Sequence, residues 1–244
     1  MAAPFLTGEW RDLVMLNYEI DPVLVANLIP GGTELELWGG RALVSLVGFR
    51  FLRTRVLGFA IPGHRNFEEV NLRFYVRRQA PEGFRRGVVF VKEIVPRFAI
   101  AWVARTLYNE NYVALPMRHA LGRRAVDAAR LVEYRWRLDG RWSRLGVAAR
   151  ATAVVPPPES EAAFITEHYW GYARQRDGGT VEYRVEHPQW EVSAAIESTF
   201  ECDVAALYGA PFAGFLTGKP ESAFVADGSP VTVRRGVRLA EGGG

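Results

Sequence analysis

Several features that define common classes of protein are scarce or missing in this 244-residue sequence. It contains one cysteine, Cys202, so no disulfide can form within the chain, and we expect a reducing, cytoplasmic location. There are two lysines against 28 arginines, and the formal net charge of +3 gives no reason to predict nucleic acid as a partner. No run of about 18 apolar residues and no basic segment followed by an apolar one is present, so neither membrane association nor a signal peptide is predicted.

The sequence also lacks the short motifs that announce cofactor chemistry. We find no glycine-rich phosphate loop, no dinucleotide fingerprint and no nucleophile elbow. The four histidines show none of the close spacings typical of metal ligands; they are His64, His119, His168 and His187. We therefore predict no cofactor and no metal.

What the sequence contains is a series of strand patterns with a few short helices. Strands are predicted over residues 41–51, 53–61, 67–78, 87–95, 113–119, 130–138, 142–155, 172–175, 180–186, 190–200, 221–225 and 230–239. Asp139-Gly140 and Asp177-Gly178-Gly179 predict hairpin turns between neighbouring strands. Helices are predicted after Asp21-Pro22 and over residues 98–107, 159–170 and 203–208. This order indicates a mainly β (α+β) protein, a large barrel or double sheet covered by short helices.

The domain organisation is predicted to be simple. Residues 156–158 are three prolines and form the clearest linker in the sequence. Neither side of this linker has a self-sufficient pattern of its own, so we predict one domain over residues 1–240 and a disordered tail over 241–244. Assembly into a homo-oligomer is left open.

The most informative stretch is the predicted strand over residues 67–76. Side chains alternate between the two faces of a strand, so Glu69, Asn71 and Arg73 share one face, bracketed by Phe67 and Tyr75. If this face points into the interior, an acid, an amide and a guanidinium form a polar cluster there. If it points to water, Glu69 and Arg73 are a structural pair on an exposed sheet face.

Two further groups are candidates for the same cluster. Arg105, in the predicted apolar helix, needs an anion, which is either Glu69 or Glu93 or the carboxylate of a ligand. His187, beside a predicted strand end, is either an acid–base group or a ring held by a backbone carbonyl.

The sequence resembles an uncharacterised family of YqjF-like proteins over residues 8–228. The segments that carry the resemblance are Trp10 with Leu13, residues 22–30, Trp38-x-Gly40, residues 67–76, Gly87-Val88-x-Phe90, Ala104-Arg105 and Val185-x-His187-Pro188-x-Trp190. That family is similar in fold to acetoacetate decarboxylase, which implies a large curved antiparallel barrel or cone around a pocket. The resemblance also implies that Glu69 corresponds to a pocket glutamate carried on a strand.

The decarboxylase uses a Schiff-base lysine beside a second lysine, and this sequence has no such pair. Its two lysines are Lys92 and Lys219, and the segment that resembles the decarboxylase's lysine segment contains Arg105 and no amine. We therefore expect no imine chemistry.

Three functions remain open. The first is a pocket for a small, anionic organic molecule such as a carboxylate or keto acid, with acid–base catalysis at Glu69 or His187. The ligand-binding candidates for this pocket are Asn71, Arg73, Arg105, Tyr108, Tyr112 and Trp190. The second is a non-catalytic carrier that uses the same pocket. The third is a structural or interaction protein whose interior is filled by its own aromatic side chains.

Overall fold

The computed structural model describes residues 3–96 and 111–240 of the protein. Its strands are β1 (Pro4–Ile20), β2 (Glu34–Leu35), β3 (Ala42–Val56), β4 (Phe67–Ala80), β5 (Gly83–Val95), β6 (Tyr112–Ala114), β7 (Met117–Arg123), β8 (Arg130–Leu138), β9 (Arg141–Ala149), β10 (Trp170–Arg174), β11 (Thr180–Glu186), β12 (Val192–Glu201), β13 (Ser222–Arg234) and β14 (Val237–Arg238). The helices within these residues are α1 (Val23–Ala26), α2 (Glu161–Thr166), α3 (Val204–Tyr208) and α4 (Ala210–Leu216). The predicted helix over residues 98–107 and the predicted tail over 241–244 lie outside the described residues.

Seven of the strands form a closed path of hydrogen-bonded neighbours. The path runs β11, β10, β5, β4, β3, β1 and β13, and β13 pairs again with β11. The predicted mainly β fold with a curved sheet is therefore confirmed. The sheet is antiparallel except at β5, which runs parallel to β6 and β10. Parallel pairing is possible because a long connection separates β5 from β10.

The remaining long strands continue the sheet beyond β13 in the order β12, β9, β8 and β7. This extension packs against the outer face of the closed path, and α3 and α4 contribute to the same core. Gly48 on β3 allows the close approach, because a Cβ there would lie 2.7 Å from the Tyr134 ring of β8. A second core lies inside the closed path and includes Phe49, Phe164 and Trp190. The central residues of β1, β3 and β4 are thus covered on both faces.

Several local predictions are confirmed. Asp139-Gly140 joins β8 to β9, and residues 175–179 join β10 to β11 as a hairpin. The Asp21 carboxylate accepts a hydrogen bond from the Val23 amide at 2.9 Å, and Asp203 accepts one from Ala206 at 3.0 Å, so both residues cap the helices that follow them.

Other local predictions are wrong. No strand was predicted over β1, whose residues 13–18 are all buried and therefore lack a polar–apolar alternation. Residues 53–61 are not one strand, because β3 turns back at Leu57 and Gly58, which both have positive φ. The helix predicted over 159–170 is limited to α2, and α4 was not predicted.

The two strands predicted over residues 221–225 and 230–239 are mainly one continuous strand, β13. It crosses Gly228, where φ is 78° and a Cβ would lie 2.0 Å from the carbonyl oxygen of Trp10. Only glycine fits this approach, so the gap left between the two predicted strands lies inside a single strand. In the described part of the chain, no helix has the length and apolar character needed to cross a membrane.

Candidate functional site

The polar row predicted on β4 lies on a cavity inside the closed path of strands. Phe67, Glu69, Asn71 and Arg73 all line this cavity, whose volume is about 230 Å³. The alternate residues of β4 pack into the outer core instead. Glu69 and Asn71 are 3 % and 2 % exposed, so this face of β4 is removed from bulk solvent. The alternation in the sequence grouped these side chains on one face, and of the two orientations that it left open the structure has the inward one.

Hydrogen bonds fix the three polar side chains of this row. The Asn71 amide nitrogen donates to Glu69 Oε1 at 3.0 Å, and the Arg73 Nη2 donates to the Ile165 carbonyl at 3.3 Å. The contact to Ile165 ties β4 to α2, which covers one end of the cavity. Asn71 Oδ1 and Arg73 Nε are buried and have no hydrogen-bond partner among the described residues. Each of these atoms retains the capacity to bind a ligand atom.

A second carboxylate reaches the same region from β5. Glu93 pairs directly with Asn71 across the two strands, is 1 % exposed and lines the cavity. Its position depends on a β-bulge, because Lys92 pairs with Leu72 whereas Phe90 pairs with Arg73. The extra residue reverses the alternation of β5, so that Phe90 and Glu93 face the cavity and Lys92 does not. A simple alternation from Phe90 would have placed Lys92 inside.

His168, which was not predicted as a site residue, lies on the cavity with its side chain 1 % exposed. Its Nε2 donates to Glu36 Oε2 at 2.9 Å, and Glu36 Oε1 accepts from Arg86 Nε at 2.6 Å. Burial lowers the pKa of His168 to about 4, so the ring is neutral at pH 7. Burial acts to raise the pKa of Glu36, but the His168 hydrogen bond and the Arg86 charge outweigh it and hold that pKa below its usual value.

His187 also lines the cavity, and its Nδ1 donates to the Pro188 carbonyl at 2.9 Å. Its ring stacks on Trp190, with 4.1 Å between the centroids. Burial lowers the pKa of His187 to about 4. This contact matches the interpretation of His187 as a ring held by a backbone carbonyl. It also leaves Nε2 as the unprotonated nitrogen of the neutral ring.

The rest of the wall is mainly apolar and aromatic. Its larger members are Phe5, Trp10, Phe49, Phe51, Phe67, Phe90, Tyr112, Trp170, Tyr183 and Trp190. The cavity is somewhat smaller than the ~300–1,000 Å³ of pockets for drug-sized molecules. It therefore suits a small molecule with an apolar body and a polar end.

The predicted site residues are thus only partly brought together by the described structure. Six of them line this cavity: Glu69, Asn71, Arg73, Tyr112, His187 and Trp190. Arg105 and Tyr108 lie outside the described residues. Glu36, Glu93 and His168 are additions from the structure; His168 and Glu36 are 132 residues apart in sequence, so no local pattern could connect them.

Two chemical groups are not found at the cavity. Lys92 donates to the Leu207 carbonyl in the outer core, and Lys219 is exposed, so neither lysine side chain reaches the cavity. Within residues 3–96 and 111–240, no three His, Cys, Asp or Glu side chains are grouped so that they could hold a metal ion.

Solved structures with similar folds include several related to acetoacetate decarboxylase. An acetoacetate decarboxylase from Legionella pneumophila aligns over 98 % of this chain and 88 % of its own, with a TM-score of 0.67 and 13 % identity. An acetoacetate decarboxylase-like enzyme from Sphingomonas wittichii RW1 aligns over 98 % and 94 %, with a TM-score of 0.64 and 15 % identity. The enduracididine biosynthesis enzyme MppR, complexed with pyruvate, aligns over 98 % and 91 %, with a TM-score of 0.68 and 13 % identity. At these identities the likeness shows the fold alone.

Sequence comparison identifies the relatives. Uncharacterized protein YqjF of Bacillus subtilis is 31 % identical over 120 residues, a stretch that covers 48 % of this chain and 48 % of YqjF. The matched stretch therefore spans about half of the length of YqjF. A family model described as an uncharacterized conserved protein, DUF2071, matches residues 7–230. Since this match covers most of the sequence, the chain belongs to the DUF2071 family.

Proposed function

We propose that the cavity binds a small organic carboxylate, with the carboxylate on Arg73 and the apolar body against the aromatic wall. The observation that carries this proposal is a guanidinium at the polar end of a mainly apolar cavity, with its Nε buried and without a hydrogen-bond partner among the described residues. A guanidinium offers five N–H donors, and Arg73 uses one of them on Ile165. Carboxylates are the anions that match this donor geometry.

The surrounding groups support a ligand of limited size and defined orientation. Asn71 Oδ1 remains available beside Arg73, and Tyr112 and Trp190 offer flat apolar surfaces to the ligand body. Arg73 supplies one guanidinium to this polar end, so a monocarboxylate with an uncharged remainder is the ligand class that we propose.

The chemistry we propose for this site is acid–base chemistry at Glu69 or His187. Imine formation requires a lysine amine, and both lysine side chains of the sequence lie away from the cavity. Proton transfer requires only a carboxylate or a neutral imidazole near the reacting atom, and the cavity wall offers both.

Isothermal titration calorimetry with 4-methylpentanoate, a small branched monocarboxylate, tests the binding proposal. Arg73→Gln removes the charge that would bind the carboxylate, so its affinity should fall about 10- to 150-fold, since a hydrogen bond to a charged group contributes ~1.5–3 kcal/mol. Arg77→Gln is the matched control. Arg77 lies on the same strand but binds Glu34 at the surface, at 2.6 Å, so this variant should bind like the wild type. Equal affinity of wild type and Arg73→Gln would contradict the proposal.

Turnover separates a carrier from an enzyme. Native mass spectrometry of the purified protein should detect any small acid retained in the cavity. Prolonged incubation of that acid with the protein, followed by chromatography, should convert it if Glu69 or His187 is catalytic, and Glu69→Gln or His187→Gln should then slow the conversion. A retained acid that stays chemically intact would support the carrier instead.

A further inference from the structure

The contacts of His168 determine which of its ring nitrogens carries the proton. The Glu36 carboxylate can only accept hydrogen bonds, so Nε2 of His168 is the N–H donor in their 2.9 Å contact. Because the ring is neutral, Nδ1 carries a lone pair and no proton. Nδ1 is buried and has no hydrogen-bond partner among the described residues, although the side chain lines the cavity. A buried acceptor without a donor is costly, and a ligand that supplies the donor removes this cost.

We infer that His168 Nδ1 is the hydrogen-bond acceptor for a hydroxyl group of the ligand, so that the cavity selects hydroxy carboxylates over the corresponding simple acids. This inference rests on the proposed function, because it takes the carboxylate of the same ligand to lie on Arg73. Glu36 is a positioning residue in this arrangement: it fixes the tautomer of His168 and is itself held by Arg86 at 2.6 Å.

The position of His168 relative to Arg73 places the hydroxyl close to the carboxylate. Both side chains lie against the Tyr75 ring: the Arg73 Cζ is 5.8 Å from its centroid, and the His168 centroid is 4.7 Å from it. Tyr75 itself is completely buried, and its hydroxyl is hydrogen-bonded to Ser45, so the ring that the two side chains share is held in place. A hydroxyl one or two carbon atoms from the carboxylate is therefore the donor that the site would reach.

Three acids with the same carbon skeleton test the inference by calorimetry: 4-methylpentanoate, 2-hydroxy-4-methylpentanoate and 3-hydroxy-4-methylpentanoate. For the wild type, at least one hydroxy acid should bind on the order of tenfold more tightly than the simple acid. His168→Gln keeps an amide N–H for Glu36, and with that N–H in place the amide oxygen, its one acceptor, no longer stands at the position of Nδ1. This variant should bind all three acids with the affinity that the wild type has for the simple acid.

Glu36→Gln is the second variant, and it covers the case in which His168→Gln does not fold. A carboxamide can donate as well as accept, so it no longer enforces the Nε2–H tautomer of His168, and the preference for the hydroxy acid should shrink while the affinity for the simple acid is kept. A wild type that binds simple and hydroxy acids equally would overturn the inference and leave the carboxylate site intact. A preference that persists in both variants would also overturn it. Failure of all three acids to bind the wild type would overturn the carboxylate site and this inference with it.

Discussion

Replacing His168 should make the protein less sensitive to acid, even if the replacement lowers its stability at neutral pH. Burial lowers the pKa of this ring from its ordinary value of 6.5 to about 4, because the interior disfavours the imidazolium ion. The unfolded chain therefore takes up a proton at His168 at a higher pH than the folded chain does. Above pH 6.5 the ring is neutral in both states and does not affect the free energy of unfolding. As the pH drops from 6.5 towards 4, protonation of the unfolded chain lowers that free energy.

The size of this effect follows from the two pKa values. At pH 5, about 1.5 units below the ordinary pKa of 6.5, His168 is mostly protonated in the unfolded chain, whereas in the folded chain it is still mostly neutral. At 1.36 kcal/mol per unit, His168 should remove about 2 kcal/mol from the free energy of unfolding between pH 7 and pH 5. His187 adds a loss of the same sign, but this loss is present in both the wild type and the variant and cancels in their difference.

Urea unfolding of the wild type and of His168→Gln at pH 7 and pH 5 measures this difference. The variant should lose about 2 kcal/mol less than the wild type over this interval. His64→Gln is the matched control, because that ring stands in the loop between β3 and β4, is only half-buried although it lines the cavity, and has its hydrogen bond among the described residues to the Pro62 carbonyl. An equal loss in wild type and His168→Gln would refute a buried, neutral His168, and with it the assignment of Nδ1 as an acceptor.

Three other predictions follow from the same structure. Asp12→Ala should lower the free energy of unfolding by about 2 kcal/mol in urea, because it removes the half-buried carboxylate that Arg50 and Arg130 share, at 3.1 and 2.7 Å, while Arg130 keeps Asp227; unchanged stability would show that this cluster is not structural. Gly171→Ala should lower the melting temperature, since its Cβ would lie 2.2 Å from the Tyr183 ring on the cavity wall; a melting temperature equal to that of the wild type would mean that the ring moves freely. Borohydride treatment with pyruvate should leave the intact mass of the protein unchanged, because neither lysine reaches the cavity; a covalent adduct would contradict the exclusion of imine chemistry.

The fold and one wall of the site could be predicted from the sequence because their signals are local. The alternation of β4 placed Glu69, Asn71 and Arg73 on one face without showing that this face points inward, and Asp139-Gly140 predicted the hairpin between β8 and β9. β1 gave no such signal, since a strand covered on both faces needs no alternation. β13 was predicted as two strands on either side of Gly228, because the sequence does not show that Trp10 of a distant strand would lie against this glycine.

The rest of the site depends on contacts that no local pattern encodes. Because of the β-bulge in β5, Glu93 rather than Lys92 faces the cavity. The position of this bulge is set by pairing with β4 rather than by the residues of β5 alone. His168 stands between a short helix and a strand, and Glu36 follows a strand of two residues. Only the folded chain brings them to 2.9 Å, and their contact leaves Nδ1 of His168 as a buried acceptor without a hydrogen-bond partner among the described residues.

The central claim is that the polar end of the cavity, formed by Asn71, Arg73 and His168, binds a small hydroxy carboxylate. A crystal structure of the protein with bound 2-hydroxy-4-methylpentanoate or 3-hydroxy-4-methylpentanoate tests it most directly. The account predicts the carboxylate within hydrogen-bond distance of Arg73, the hydroxyl on His168 Nδ1 and the branched end against the aromatic wall. An acid bound with its carboxylate turned away from Arg73, or bound only outside the cavity, would contradict it.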